Sequence, residues 1–250
     1  MNERQNKIIE LLSKKQKIEV TELSKILAVS QVTIRKDLAL LESNGLIIRE
    51  HGFAKINDSD DVNKRLVYNY KKKQKIAALA AQMVECGETI MIESGSCCAL
   101  LALELAKSRK DITIITNSAF IADFVSKTKG AKIILAGGEY QSESQVMVGP
   151  IVKKCVESFF VDKFFIGADG FSEQSGFTGN DYMRGEAVKD MAKQAKNVIV
   201  VTDSSKFSHV GVINLLPMEK ISCVITDSGI DKFSEKYLLS KNVEVLKTEL

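Results

Sequence analysis

The chain has 250 residues, 45% of them hydrophobic and 27% charged, and a formal net charge of +3. That is an ordinary profile for a folded soluble protein with room for a small and a larger domain, and no apolar run approaches the roughly 18 residues that a membrane helix needs. The five cysteines form no C-x-x-C pair, and His51 and His209 are the only histidines, so a disulfide framework, a zinc site and a Ser-His-Asp triad all start from weak ground.

The opening MNERQNK has no apolar segment behind it, so a cytoplasmic location and no membrane partner are expected. Charge is distributed unevenly. Residues 1–75 carry 16 Lys and Arg against 10 Asp and Glu, while residues 76–250 carry 19 against 22. A basic head on a mildly acidic body suggests a polyanion-binding module attached to a domain with another task.

In the head, apolar residues at helical spacing mark three short helices: Ile8, Ile9, Leu11 and Leu12; Val20, Leu23, Ile26 and Leu27; Val32, Ile34, Leu38 and Leu41. Thr21 is placed to cap or open the second, Ser30 to cap the third, and Gly45 to end it. Two β-prone runs, 46–49 and 53–56, then flank His51-Gly52. Residues 1–56 are therefore expected to form a winged helix-turn-helix, whose second helix of the pair enters the major groove of double-stranded operator DNA. Gln31, Thr33, Arg35 and Lys36 are the polar residues of that helix's first two turns, and Val32, Ile34 and Leu38 are assigned to packing. Asp37, which phosphate would repel, is predicted to turn away and pair with a neighbouring Lys or Arg or cap a turn.

Ser30 to Leu38 (Ser-x-x-Thr-Ile-Arg-Lys-Asp-Leu), Leu41-Glu42, Gly45 and then Arg49-x-His51-Gly52-x-Ala54 closely resemble the DNA-binding signature of the deoxyribonucleoside-repressor (DeoR) family of bacterial transcription regulators. The resemblance adds Ser30, Arg49 and His51 to the DNA-contacting set. The family usually has a second glycine where this chain has Phe53.

Residues 57–74 are expected to be a linker, with Lys71-Lys72-Lys73 read as a solvated helix start. Over 75–250, β-like and helix-like runs alternate: strands near 89–92, 112–116, 132–135, 163–166, 197–202, 222–226 and 243–246, with helices near 97–107, 119–126, 185–195 and 232–239. Such alternation implies an α/β fold with a mostly parallel sheet covered on both faces, whose ligand lies at the carboxyl ends of the strands. The residues there are small and polar: Glu93, Ser94, Gly95, Ser96 and Cys97; Thr116 and Asn117; Gly137 and Gly138; Asp169 and Gly170; Asp203 and Lys206. Hydroxyls and N–H groups at a helix N-terminus bind phosphate, so Ser94-Gly95-Ser96 is the expected phosphate loop with Lys206 as counter-charge. Asp169 and Asn117 supply acceptors for sugar hydroxyls. Neither nucleotide-binding glycine motif occurs, and no cofactor is expected.

The resemblance continues through Thr116-Asn117, Leu135-x-Gly137-Gly138, Gly167-x-Asp169-Gly170 and Asp203-x-Ser205-Lys206-Phe207. It implies a sensor domain similar in fold to ribose-5-phosphate isomerase and glucosamine-phosphate deaminase. The family commonly has Asp-x-Gly-Thr-Thr where this chain reads Glu93-Ser94-Gly95-Ser96-Cys97. The resulting expectation is a non-enzymatic regulator, usually a repressor of a sugar catabolic operon in this family, acting as a homodimer or higher homo-oligomer under a phosphorylated sugar effector. The alternative is a sugar-phosphate isomerase or deaminase with a DNA-binding head. For that reading Asp169 and Glu186 are the candidate bases, although Glu186 reads more simply as a helix-terminal charge or hydroxyl acceptor.

Overall fold

The computed structural model describes residues 3–43, 46–50, 52–55 and 62–249. They form two compact units, the first ending at Lys71 and the second beginning at Lys72.

The first unit runs α1 (Glu3–Lys15), β1 (Lys17–Glu19), α2 (Val20–Ile26), α3 (Gln31–Ser43), β2 (Ile48–Glu50), β3 (Phe53–Lys55) and α4 (Val62–Val67). Ile8, Ile9, Leu12, Leu23, Ile34, Leu38 and Leu41 are completely buried, so the helical stripes seen in the sequence do meet in one core. Each such side chain contributes roughly 1.5–3 kcal/mol by leaving water. The strands form a three-stranded antiparallel sheet in the order β1-β3-β2, with Ile18 opposite Ala54. Strand β1 was not anticipated, because Lys17-Ile18-Glu19 is too short to display an alternation. Gly52, at φ +81°, makes the turn between β2 and β3, a left-handed conformation that other residues adopt at a cost.

Ser30 caps α3 as expected, its hydroxyl accepting from Thr33 N–H at 3.2 Å. Thr21 does not cap α2. The helix starts at Val20 with Glu19 as its N-cap, and the Thr21 hydroxyl instead donates to Glu19 Oε2 at 2.7 Å. Asp37 is buried and turned inward, where Arg4 Nη2 (3.3 Å) and Gln5 Nε2 (3.2 Å) donate to its Oδ1. Its cation comes from α1 rather than from a sequence neighbour. Val32, assigned to packing, is 60% exposed. Gly45, His51 and Ile56 lie outside the described residues.

The expected linker, where it is described, is helical in α4 and in the start of α5 (Tyr70–Ala81), with a turn at Tyr68-Asn69 between them. The second unit continues with β4 (Thr89–Ile92), α6 (Ser96–Ser108), β5 (Ile112–Thr116), α7 (Ala119–Val125) and β6 (Ala131–Leu135). A hairpin of β7 (Glu139–Gln141) and β8 (Val146–Val148) leads to α8 (Pro150–Val156) and β9 (Val161–Ile166). Next come β10 (Gly170–Ser172), β11 (Gly176–Gly179), α9 (Tyr182–Ala192) and β12 (Ala195–Val201). The chain ends with a 3-10 turn over Ser204–Ser208, β13 (Ile213–Asn214), a second 3-10 turn over Met218–Lys220, β14 (Ile221–Asp227), α10 (Lys232–Ser240) and β15 (Glu244–Thr248).

Seven strands build one sheet in the order β15-β14-β12-β9-β4-β5-β6, every neighbouring pair parallel. Its central strands are apolar on both faces, with Ile90, Met91, Ile92, Phe164, Phe165 and Ile166 fully buried, as a sheet covered on both sides requires. From β4 the chain builds outward through β5 and β6, then returns to the other side of β4 and builds through β9, β12, β14 and β15. The winding direction therefore reverses between β4 and β9. In an open parallel sheet that reversal leaves a crevice beyond the strand ends, the usual ligand position.

Candidate functional site

On α3, Gln31, Arg35 and Lys36 are exposed and Thr33 is half-buried. The Ser30 and Thr33 hydroxyls share a 2.9 Å hydrogen bond, and Arg35 Nη2 lies 3.4 Å from Gln31 Oε1. These polar groups are thus arrayed on one helix start with two cations outward, an arrangement suited to base edges and phosphates. Arg49 is engaged differently. Its Nε donates to Glu42 Oε2 at 2.7 Å and its N–H to Oε1 at 3.0 Å, and these bonds hold the Glu42 carboxyl below its ordinary range. Arg49 ties β2 to the end of α3 with its charge already balanced.

In the second unit the loops after β4 and β9 meet at the reversal point. Glu93 organises them: its Oε2 accepts from Gly95 N–H (2.8 Å) and Gly167 N–H (3.2 Å), and its Oε1 accepts from the Ser94 hydroxyl (2.6 Å). The Ser94 hydroxyl and the Gly95 N–H, expected as ligand donors, are therefore committed within the loop. Gly95 and Gly167 touch, since a Cβ on Gly95 would stand 3.0 Å from Gly167 Cα. The first turn of α6 follows, capped by Gly95 without any side-chain acceptor; Ser96 is half-buried there and Cys97, Cys98 and Ala99 are buried.

Two lysine charges act on that turn. The buried Cys97 thiol is pushed up to about 12 by desolvation, while the charges of Lys73 and Lys206 act on it in the opposite sense and that of Asp203 in the same sense. Lys206, on the 3-10 turn after β12, thus lies near enough for its charge to act on Cys97 in the first turn of α6. Lys73 was misread as solvated: it is buried, with Nζ 3.9 Å from Asp203 Oδ2. The signal was available, since Lys73 falls on the same helical stripe as the buried Ile76, Ala77 and Ala80. Asp203 itself caps the 3-10 turn by accepting from Ser205 N–H at 3.2 Å, which positions Lys206.

Lys72, also misread, pairs with the buried Asp227 at 3.2 Å. Burial raises the Asp227 pKa, but the Ser204 N–H and hydroxyl and Lys72 outweigh it and hold it below the ordinary value. A depressed carboxylate stabilises the fold above its unfolded pKa and loses that contribution as pH falls through the folded one. Asp227→Asn is accordingly expected to lower stability by about 1–3 kcal/mol at neutral pH, with the gap from wild type closing below about pH 4. Denaturant melts across that range check this; a gap that does not narrow in acid would contradict it.

The remaining candidates divide. Thr116 is buried, and its Oγ1 accepts from Ser118 N–H at 3.1 Å. Asn117 donates through Nδ2 to Met147 O at 3.0 Å, while its buried Oδ1 has no hydrogen-bond partner among the described residues. Asp169 accepts from Asn180 N–H at 3.1 Å and remains half-buried beside the crevice. Gly138 and Gly170 answer to packing: a Cβ would fall 2.6 Å from Val148 O in the first and 2.5 Å from His209 O in the second. Gly137 has more room, with Ile151 at 3.8 Å. Glu186 is not helix-terminal. It sits in the second turn of α9, paired with Lys189 at 2.8 Å.

Two sequence patterns of known families match the chain: a DeoR-like helix-turn-helix domain over residues 4–60 and a DeoR C terminal sensor domain over residues 68–228. The HTH-type transcriptional regulator GolR of Listeria innocua is 33% identical over 92% of this chain and 92% of its own length. The HTH-type transcriptional repressor GlcR of Bacillus subtilis is 31% identical over 97% of this chain and 94% of its own. Among solved structures, ribose 5-phosphate isomerase A of Methanocaldococcus jannaschii aligns over 56% of this chain and 55% of its own, with 20% identity and a TM-score of 0.42.

Proposed function

This chain belongs to the DeoR family of bacterial transcription regulators, and on that premise we propose that it represses a sugar catabolic operon under the control of a phosphorylated sugar. Residues 1–56 bind operator DNA and residues 75–250 bind the effector. The observation that carries the effector class is that the charges of Lys73 and Lys206 both act on Cys97 in the first turn of α6, whose N-cap Gly95 offers no side-chain acceptor, beside the reversal point of the sheet. Two cations and a helix N-terminus suit a phosphoryl group, and the free Asn117 Oδ1 and the Asp169 carboxylate suit hydroxyls. The names of GolR and GlcR, a regulator and a repressor, support the regulatory side.

Catalysis would need a base free to take a proton, whereas Glu186 is paired with Lys189 and Asp169 is occupied by a backbone N–H. A thermal-shift screen of sugar phosphates, followed by operator binding with and without each hit, tests the sensor reading. Turnover of a pentose or hexosamine phosphate that Asp169→Asn abolishes would replace it with the enzymatic one.

Arg35→Ala is expected to weaken specific operator binding by roughly 1–3 kcal/mol, the worth of one good base contact, and to relax one position of the site. Lys36→Ala is expected to weaken operator and random DNA alike, with a shallower salt dependence. Equal losses on both DNAs for Arg35→Ala would make it a phosphate contact as well. One winged helix reads few base pairs, so a symmetric homodimer or a higher assembly on half-sites a helical turn or its multiples apart is also expected. A monomer by light scattering that keeps full operator affinity would contradict this.

A further inference from the structure

Val32 is the second residue of α3 and 60% exposed, more than Ile26, Leu40 or Tyr68, the other large hydrophobic side chains exposed in the first unit among the described residues. Its neighbours at i+3 and i+4 are Arg35 and Lys36, both exposed, so the three share one strip of helix surface. The opposite strip, Ile34, Leu38 and Leu41, is fully buried. A β-branched residue is a weak helix former and gains nothing from burial here, so neither local propensity nor the core accounts for valine at this position. The cationic strip faces a polyanion whose major groove carries one apolar landmark, the C5-methyl group of thymine.

We propose that Val32 makes an apolar contact with a thymine methyl group and thereby sets a preference for thymine at one position of each half-site, next to the base read by Arg35. The proposal rests on α3 entering the major groove. It adds a determinant that a reading of polar residues overlooks, and it accounts for a compact apolar side chain left exposed beside Arg35 and Lys36 in the first turns of α3, where it touches a methyl without obstructing hydrogen bonds to neighbouring base edges, while Ile34, Leu38 and Leu41 turn inward.

The test uses the full chain and duplexes enriched by it from a randomised library. Each thymine in an enriched duplex is replaced in turn by deoxyuridine, which removes only the methyl group. The wild type is expected to lose about fourfold in affinity at one thymine per half-site, which corresponds to ~0.8 kcal/mol for one buried methyl. Val32→Ser should bind the thymine duplex about fourfold more weakly and be indifferent to deoxyuridine there. Val32→Ile, which keeps the apolar contact, should retain the wild-type response and shows that the effect is not loss of fold. The proposal is overturned if no methyl is sensed by the wild type, or if Val32→Ser still senses the same one. It is also overturned if Val32→Ser forms the wrong assembly by light scattering while reading DNA normally, because the residue then serves a protein contact. Failure of the wild type to enrich any sequence would instead remove the DNA-binding premise, an outcome distinct from these.

Discussion

Gly95→Val is expected to abolish the effector response of operator binding while leaving operator affinity without effector within about twofold. The backbone at Gly95, φ −64° and ψ 153°, suits any residue, so the substitution introduces no conformational strain. The effect is crowding. The nearest atom to an added Cβ is Gly167 Cα at 3.0 Å, followed by Glu93 Oε2 at 3.3 Å, and a backbone atom cannot swing aside as a flexible side chain can. The two methyl groups of valine extend further still. They would push the β4 and β9 loops apart at the reversal point and displace the first turn of α6, on which the phosphate is proposed to rest. Gly95→Ala should give an intermediate defect. Operator binding titrated with effector measures both variants, and a wild-type effector midpoint for Gly95→Val would remove the loop from the site.

The second large effect is expected from the two lysines. Lys73→Met and Lys206→Met should each raise the effector concentration for half response by about tenfold to a hundredfold, the loss of a charge-assisted hydrogen bond of roughly 1.5–3 kcal/mol. They should differ in a second readout. Lys206 is half-buried, so its substitution should leave the melting temperature nearly unchanged. Lys73 is buried with its Nζ 3.9 Å from Asp203 Oδ2, and losing a cation beside a buried carboxylate should also destabilise the fold. Because both charges would address one phosphoryl group, the double variant should fall short of the sum of the single effects. An unphosphorylated form of the effector sugar provides the control: the variants should not differ from wild type in their weak response to it. Wild-type midpoints in both variants would place the phosphate elsewhere.

Much of this protein is determined by short stretches of its sequence taken singly. The helix α3, its Ser30 cap and the stripe of Ile34, Leu38 and Leu41 follow from a 3.6-residue period and a local hydrogen bond. The strands of the large sheet declare themselves as apolar runs, and the loops after them as small polar residues. Even the exposure of Val32 was legible, since it stands two residues from Ile34 and positions i and i+2 do not share a helix face. Strand β1 and the pairing of β10, β11 and β13 were not, because short segments gain their stability from partners distant in the chain rather than from their own pattern.

What only the tertiary structure decided is which local pieces become neighbours. The sequence lists strands in order but contains no local signal that β9 returns to lie beside β4, and this return brings Gly167 against Gly95. It likewise took the folded chain to place Lys73 beside Asp203, Lys72 beside Asp227, and Arg4 beside Asp37. Secondary structure and caps reflect interactions within a few residues, whereas strand order and the pairing of buried charges are set by burial of the whole sheet and core. A buried charge takes as its partner whichever opposite charge that burial brings within reach, irrespective of separation along the chain.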